Sequence, residues 1–139
     1  MKILAVDYGM SRTGLAVSDP SGTIATPIPH LPSKNENRLL TSLLEVIEEI
    51  RPDRIIMGLP LRTDMKESEM VGKVRSFAQR LEDASGLKIE FQSEMYTTVI
   101  ASKLLHENDK NTKKQRSLID SAAAAVLLQT YLDKLKKDN

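Results

Sequence analysis

The chain begins with an unbroken apolar run that ends in an acid. Residues 2–7 read Lys-Ile-Leu-Ala-Val-Asp and predict a strand covered on both faces, because such a strand shows no alternation of polar and apolar residues. Residues 13–18 and 23–28 predict two more strands, joined by a hairpin turn at residues 19–22. We expect Pro27, Pro29 and Pro32 to stop the sheet there.

The rest of the chain alternates between helical and strand patterns. Apolar residues at helical spacing predict helices at residues 36–50, 65–84, 98–106 and 116–135, and short apolar runs predict strands at 54–58 and 87–91. Residues 107–115 carry no apolar residue and predict a loop. Early hairpins followed by helix–strand alternation predict an α/β fold with a five-stranded mixed sheet flanked by helices on both faces. We expect residues 1–139 to form one domain.

Composition narrows the possible chemistry. A net charge of +1 gives no bulk attraction to nucleic acid, so a polyanion would need local basic patches. No apolar run approaches membrane-spanning length and no signal peptide is evident, which predicts a cytoplasmic protein without a membrane partner. The chain has no cysteine, and only His30 and His106 could supply imidazole. A metal site would therefore be built from oxygen ligands, which favours Mg²⁺ or Mn²⁺.

Three acids are predicted at one edge of the sheet. Asp7 ends the first strand, Glu94 follows the fifth, and Asp120 lies near the start of the last helix, on a face that is otherwise apolar. Open α/β sheets form their sites beyond the carboxyl ends of parallel strands, so we expect Asp7 and Asp120 to meet there. Carboxylates grouped in this way suit divalent metal ions, and a pair of such ions can cleave a phosphodiester bond.

Each acid also has a purely structural explanation. Asp7 could form a side-chain turn into Tyr8-Gly9. Asp120 could complete a capping box begun by Ser117, and Glu94 could be a loop acid stabilised by the dipole of the helix that follows. The sequence leaves these alternatives open.

Basic residues are candidates for contact with nucleic-acid phosphates. A solvated charged surface is the alternative, because acids interrupt the basic run before Asp120. Aromatic residues are few, so recognition of a duplex through its backbone is easier to support than base stacking, for which Tyr8 and Tyr96 are the candidates. The predicted phosphate-binding residues are Arg12, Arg62, Lys110, Lys113, Lys114 and Arg116.

Four segments, in order along the chain, resemble the motifs of the YqgF family. They are residues 7–19, which begin Asp-Tyr-Gly-Met-Ser-Arg-Thr-Gly, and residues 58–61, 93–98 and 120–132. The resemblance implies an RNase H-like fold related to RuvC-type Holliday-junction resolvases. It also implies a nuclease for the 5′ end of precursor 16S rRNA, or in some assignments a resolvase. By the family pattern, Asp7, Glu94 and Asp120 would be the catalytic, metal-binding acids.

Some departures of the chain from this pattern bear on the site. The third motif usually reads Asp-Glu-Arg, whereas residues 93–95 read Ser-Glu-Met. Either binding of substrate phosphate would be weaker, or the role of the missing arginine would move to Arg62 or Arg12. RuvC-type sites carry a further acid one turn after the last one, where this chain has Ala123. The resemblance thus implies a metal site with fewer acids than in resolvases.

We therefore expect a divalent-metal-dependent endonuclease that acts on structured RNA. One alternative is a resolvase of branched DNA, which would need a two-fold dimer because it cuts two strands symmetrically. Another is a non-catalytic nucleic-acid or ribosome-binding module. The sequence does not distinguish a monomer from a homodimer.

Overall fold

The computed structural model describes residues 1–60, 69–93 and 120–137, which contain five strands and three helices. The strands are β1 (Ile3–Asp7), β2 (Arg12–Ser18), β3 (Ala25–Pro32), β4 (Arg54–Leu59) and β5 (Ile89–Ser93). The helices are α1 (Glu36–Ile50), α2 (Glu69–Ser85) and α3 (Ala122–Lys137). The predicted helix at 98–106 and loop at 107–115 lie outside the described residues. No helix in the described part of the chain is long and apolar enough to cross a membrane.

The strands form one mixed sheet in the order β3-β2-β1-β4-β5. β1 lies at the centre, antiparallel to β2 and parallel to β4, while β3 is antiparallel to β2 and β5 is parallel to β4. The central position explains the unbroken apolar run, because Leu4, Ala5 and Val6 are all fully buried. The predicted mixed five-stranded sheet is confirmed.

Helices cover both faces of the sheet, as predicted. Leu4 and Val6 point into a core formed with α1 and α2, whereas Ile3 and Ala5 point into a second core formed with α3. Side chains alternate along a strand, so Asp7 continues the series of Ile3 and Ala5 onto the α3 face. The face that carries Asp7 is therefore the face on which α3 packs.

The expectation that three prolines stop the sheet was wrong, because β3 runs through all of them to Pro32. β3 is an edge strand, where a missing N–H on the outer side costs no ladder bond. Pro27 and Pro29 are two residues apart, so the backbone nitrogen atoms of both point to the same side of the strand. Across the register shift opposite Thr13 and Leu15, β3 carries one extra residue, which brings Pro32 into the outward position as well.

Candidate functional site

Asp7 and the start of α3 meet at the same edge of the sheet. Asp7 is the last residue of β1 and lies opposite Gly14 of β2. A Cβ atom on Gly14 would lie 2.7 Å from the backbone oxygen of Asp120 and 3.2 Å from Cα of Ser121. The chain entering α3 thus rests directly on the strand position next to Asp7. The structure brings two of the three predicted acids to one edge and one face.

The carboxylate of Asp7 has no hydrogen bond or ion pair with any residue that the structure describes. The side-chain turn into Tyr8-Gly9, which was the structural explanation for this acid, is therefore not observed. Burying part of a carboxylate without a partner is unfavourable, and the charge is stabilised only when a ligand or solvent reaches it. Asp7 is thus suited to bind a cation at the open end of β1.

Both carboxylate oxygens of Asp120 face basic side chains from neighbouring strands. Arg12 Nη1 lies 3.2 Å from Oδ1, and His30 Nδ1 lies 3.3 Å from Oδ2. The Asp120 side chain is 22% exposed and the Arg12 side chain is 63% exposed, so the pair lies at the surface of the site. Arg12 was predicted to contact phosphate; here it binds Asp120 and keeps further N–H donors exposed to solvent.

His30 is a member of the site that the sequence did not indicate. It was recognised only as one of two imidazoles, and strand alternation could not place it because the β3 bulge resets which residues face α3. No sequence signal short of knowing the position of that bulge would have found it. Its approach to Asp120 adds β3 to the elements that build the site.

The turn between β1 and β2, which carries Arg12, is held by the end of β3. The Ser33 hydroxyl donates to the Gly9 carbonyl oxygen at 2.6 Å, and the Ser33 N–H donates to the Ser11 carbonyl oxygen at 3.0 Å. A Cβ atom on Gly9 would overlap the carbonyl oxygen of Arg12, so the tight turn requires glycine. The first motif therefore folds into a fixed loop beside the acids.

Tyr8 lies on the opposite face from Asp7 and packs between helices. Its ring centroid is 5.0 Å from that of Phe77, and its hydroxyl lies 3.5 Å from Glu36 Oε1. Burial, and then the negative charge of Glu36, raise the pKa of Tyr8 above its ordinary value. A partly buried ring that packs on Phe77 is a poor platform for base stacking, and the other aromatic candidate, Tyr96, lies outside the described residues.

Several predicted site residues fall in parts of the chain that the structure does not describe. β5 ends at Ser93, and β4 separates β5 from β1, so Ser93, the last described residue before Glu94, lies two strands away from Asp7. Within residues 1–60, 69–93 and 120–137, no three His, Asp or Glu side chains form a group that could hold a metal ion. The residues outside the described ranges are Glu94, Arg62, Lys110, Lys113, Lys114 and Arg116, together with Ser117 of the alternative capping box.

Comparisons with known proteins agree with the architecture. A family model described as RuvX, Holliday junction resolvase, matches residues 1–134. Relatives from Koribacter versatilis (strain Ellin345) and Dictyoglomus thermophilum, each named "Putative pre-16S rRNA nuclease", are 38% and 35% identical. The alignments cover 96% and 99% of this chain and 87% and 99% of those proteins.

A solved structure shares the fold. T. thermophilus RuvC in complex with a Holliday junction substrate superposes with a TM-score of 0.63 at 15% identity, covering 98% of this chain and 96% of that one. At this identity the likeness concerns the fold alone, and it confirms the RNase H-like architecture that the motifs implied. The YqgF-type motifs, the family model over residues 1–134 and the two full-length relatives agree, and the chain belongs to the RuvX family.

Proposed function

We propose that this protein is a divalent-metal-dependent endonuclease that hydrolyses phosphodiester bonds and processes the 5′ end of precursor 16S rRNA. The observation that carries the proposal is the meeting of β1 and the start of α3 through Gly14, which puts Asp7 and Asp120 on one face of one sheet edge. Family membership and the names of the two relatives support a nuclease of ribosomal RNA precursors.

The acids at this edge fit a hard divalent cation. Asp7, Asp120 and Glu94 would hold Mg²⁺ or Mn²⁺, since these ions bind carboxylate oxygens and the Asp7 carboxylate is without a partner among the described residues. When bound, such ions supply charge stabilisation at the phosphate and an activated water. Glu94 is the proposed third acid on the strength of the motif resemblance.

The residues around the acids have separate proposed roles. His30 orients Asp120 through Oδ2, while Arg12 contacts Oδ1 and offers its remaining N–H groups to a substrate phosphate. With a net charge of +1, binding of a polyanion depends on such local groups. The other proposed phosphate contacts are Arg62, Lys110, Lys113, Lys114 and Arg116. Because ribosomal RNA precursors are processed inside the cell, the proposal places this single domain in the cytoplasm.

Cleavage of a precursor 16S transcript with and without Mg²⁺ or Mn²⁺ tests the proposal. Asp7→Asn should lower the cleavage rate by about 100-fold or more, because it removes one negative charge from the proposed metal site. Asp133→Asn is the matched control, since Asp133 is an exposed acid on α3 that contacts Gln129. Equal rates for the wild type and Asp7→Asn would refute the metal-nuclease proposal.

A second candidate function is cleavage of branched DNA, because the description of the family model names a Holliday junction resolvase. A four-way junction should be assayed beside the RNA transcript, together with the oligomeric state, because symmetric cleavage of two strands needs a two-fold dimer. Faster junction cleavage by a dimer would favour the resolvase. Binding of RNA without any binding of Mg²⁺ or Mn²⁺ in calorimetry would instead indicate a non-catalytic module.

A further inference from the structure

A buried serine hydroxyl at the start of α3 contacts both β2 and β3. Leu15 and Ile28 lie opposite each other in the register of these antiparallel strands. The Leu15 N–H donates to Ser121 Oγ at 3.1 Å, and the Ser121 hydroxyl donates to the Ile28 carbonyl oxygen at 2.5 Å. In a regular pair these two backbone groups would bond to each other. Ser121, which is fully buried, therefore links the two strands at this pair.

Local features of both strands make room for the Ser121 hydroxyl. The extra residue of β3 lies at the register shift between Thr13 and Leu15, and such bulges leave ladder groups unpaired. On the face toward α3, Gly14 has no side chain, and a Cβ atom there would lie 3.2 Å from Cα of Ser121. The hydroxyl can thus reach between the strands without displacing either backbone.

The two hydrogen bonds of the Ser121 hydroxyl also hold the position of Asp120, the residue that precedes it. Asp120 directs its carboxylate toward Arg12 of β2 and His30 of β3, which are the two strands that the Ser121 hydroxyl joins. On the other side, the Ala125 N–H donates to the Ser121 carbonyl oxygen at 3.0 Å, so the first turn of α3 starts from the same residue. One side chain therefore sets the position of the helix start relative to both strands.

We infer that Ser121 is a positioning residue, which holds the Asp120 carboxylate at the edge of the sheet where it can act with Asp7. The inference rests on the proposed function, because it assigns Ser121 a role in that same site. Ser121 touches neither metal nor substrate in this role; it acts through the backbone of Asp120. Groups that orient a metal-ligating side chain typically change metal affinity by about 10–100-fold when they are removed.

The chain contains a matched control at the opposite end of the sheet. Ser18 is 3% exposed, and its hydroxyl accepts the Ile3 N–H at 2.8 Å and donates to the Met1 carbonyl oxygen at 3.5 Å. Ser18→Ala and Ser121→Ala thus each remove a buried hydroxyl that accepts one backbone N–H and donates to one carbonyl. Only the second change lies beside an acid of the proposed site.

The experiment compares Mn²⁺ affinity by calorimetry and kcat on precursor 16S RNA at saturating Mn²⁺. We expect Ser121→Ala to weaken Mn²⁺ binding by about tenfold or more and to lower kcat, while the urea midpoint falls for both alanine variants. Ser18→Ala should keep affinity and kcat at the wild-type level. Unchanged affinity in Ser121→Ala, or an equal loss in Ser18→Ala, would overturn the inference.

A further variant covers the case in which Ser121→Ala does not fold, and a further measurement covers the case in which the wild type binds no Mn²⁺. Ser121→Cys keeps an unbranched side chain that fills the site but hydrogen-bonds weakly, so it should show the loss of affinity even if the alanine variant does not fold. If the wild type bound no Mn²⁺, the proposed function would fail separately. The positioning role would then be judged from the amide resonances of Leu15 and Asp120, which should shift in Ser121→Cys and not in Ser18→Ala; unchanged resonances would overturn it.

Discussion

Gly14→Ala adds one methyl group where the helix start rests on the sheet. The new Cβ atom would lie 2.7 Å from the backbone oxygen of Asp120, whereas ordinary contacts begin at 3.4 Å and real Cβ atoms essentially never come within 3.0 Å. The obstacle is backbone, which no side-chain rotation can relieve, so the chain at Asp120 must retreat by about 0.3–0.7 Å. Overpacking of this kind costs about 1–3 kcal/mol of unfolding free energy.

The same displacement should reduce activity. A misplacement on the order of 1 Å in a catalytic group can lower a rate by about 100-fold, so we expect a loss of about tenfold or more in kcat for Gly14→Ala at saturating metal. Urea unfolding measures the first effect, with an unchanged m-value showing that the midpoint reports stability. Cleavage of the precursor transcript measures the second effect.

Gly72→Ala is the control for Gly14→Ala. Gly72 lies within α2, and a Cβ atom there would meet no other atom within 4 Å. Alanine is about 1 kcal/mol more favourable than glycine inside a helix, so this variant should be more stable than the wild type and equally active. If Gly14→Ala unfolded at the wild-type midpoint and cleaved at the wild-type rate, the start of α3 would not rest on β2 as described.

Two further changes test other parts of the structure. Thr13→Val should raise the unfolding free energy by about 1 kcal/mol in urea unfolding, because the buried Thr13 Oγ1 has no partner among the described residues. Ser33→Ala removes a bonded hydroxyl and should lower the unfolding free energy. A valine variant less stable than the wild type would contradict this. Hydrogen bonds from the Ile24 N–H and the Ser21 hydroxyl hold the pKa of Asp19 well below its ordinary value of 3.8. The stability that ionised Asp19 contributes is fully present well above pH 3.8 and is lost as the pH falls below that value. The stability difference between the wild type and Asp19→Ala should therefore be constant from pH 7 to about 5 and shrink below about pH 4. A difference that stayed constant down to pH 2 in urea unfolding would refute this prediction.

The layered fold could be predicted because most of its elements follow from local periodicity. The apolar spacing that predicted a helix at residues 36–50 gave the bounds of α1, where the Asn35 side chain accepts the Arg38 N–H and begins the helix. The predicted turn at residues 19–22 is closed by a bond from the Gly22 N–H to the Asp19 carbonyl oxygen. The course of β3 could not be predicted in this way, because a proline is tolerated or excluded according to which strand lies at the edge.

Residues of the candidate site could be predicted where their positions follow from the periodicity of the strand or helix that carries them. Strand alternation and helical spacing were enough to bring Asp7 and Asp120 together. His30 and Ser121 escaped prediction because both depend on the β3 bulge, a tertiary feature without a sequence signal of its own. Glu94 stays a prediction, since it lies outside the described residues.

The contacts around the acids separate the proposed chemistry from core packing across the two faces of one sheet edge. On the α3 face, the start of α3 that carries Asp120 rests on β2 at Gly14, the partner of Asp7, and Ser121 bonds to the same strand. On the other face, Tyr8 packs on α2 and belongs to the larger core. Asp7 and Tyr8, which are adjacent in the first motif, therefore have different proposed roles. The proposed site has few acids and would depend on this division, because with fewer ligands the position of each carboxylate would be set by the small residues beneath it.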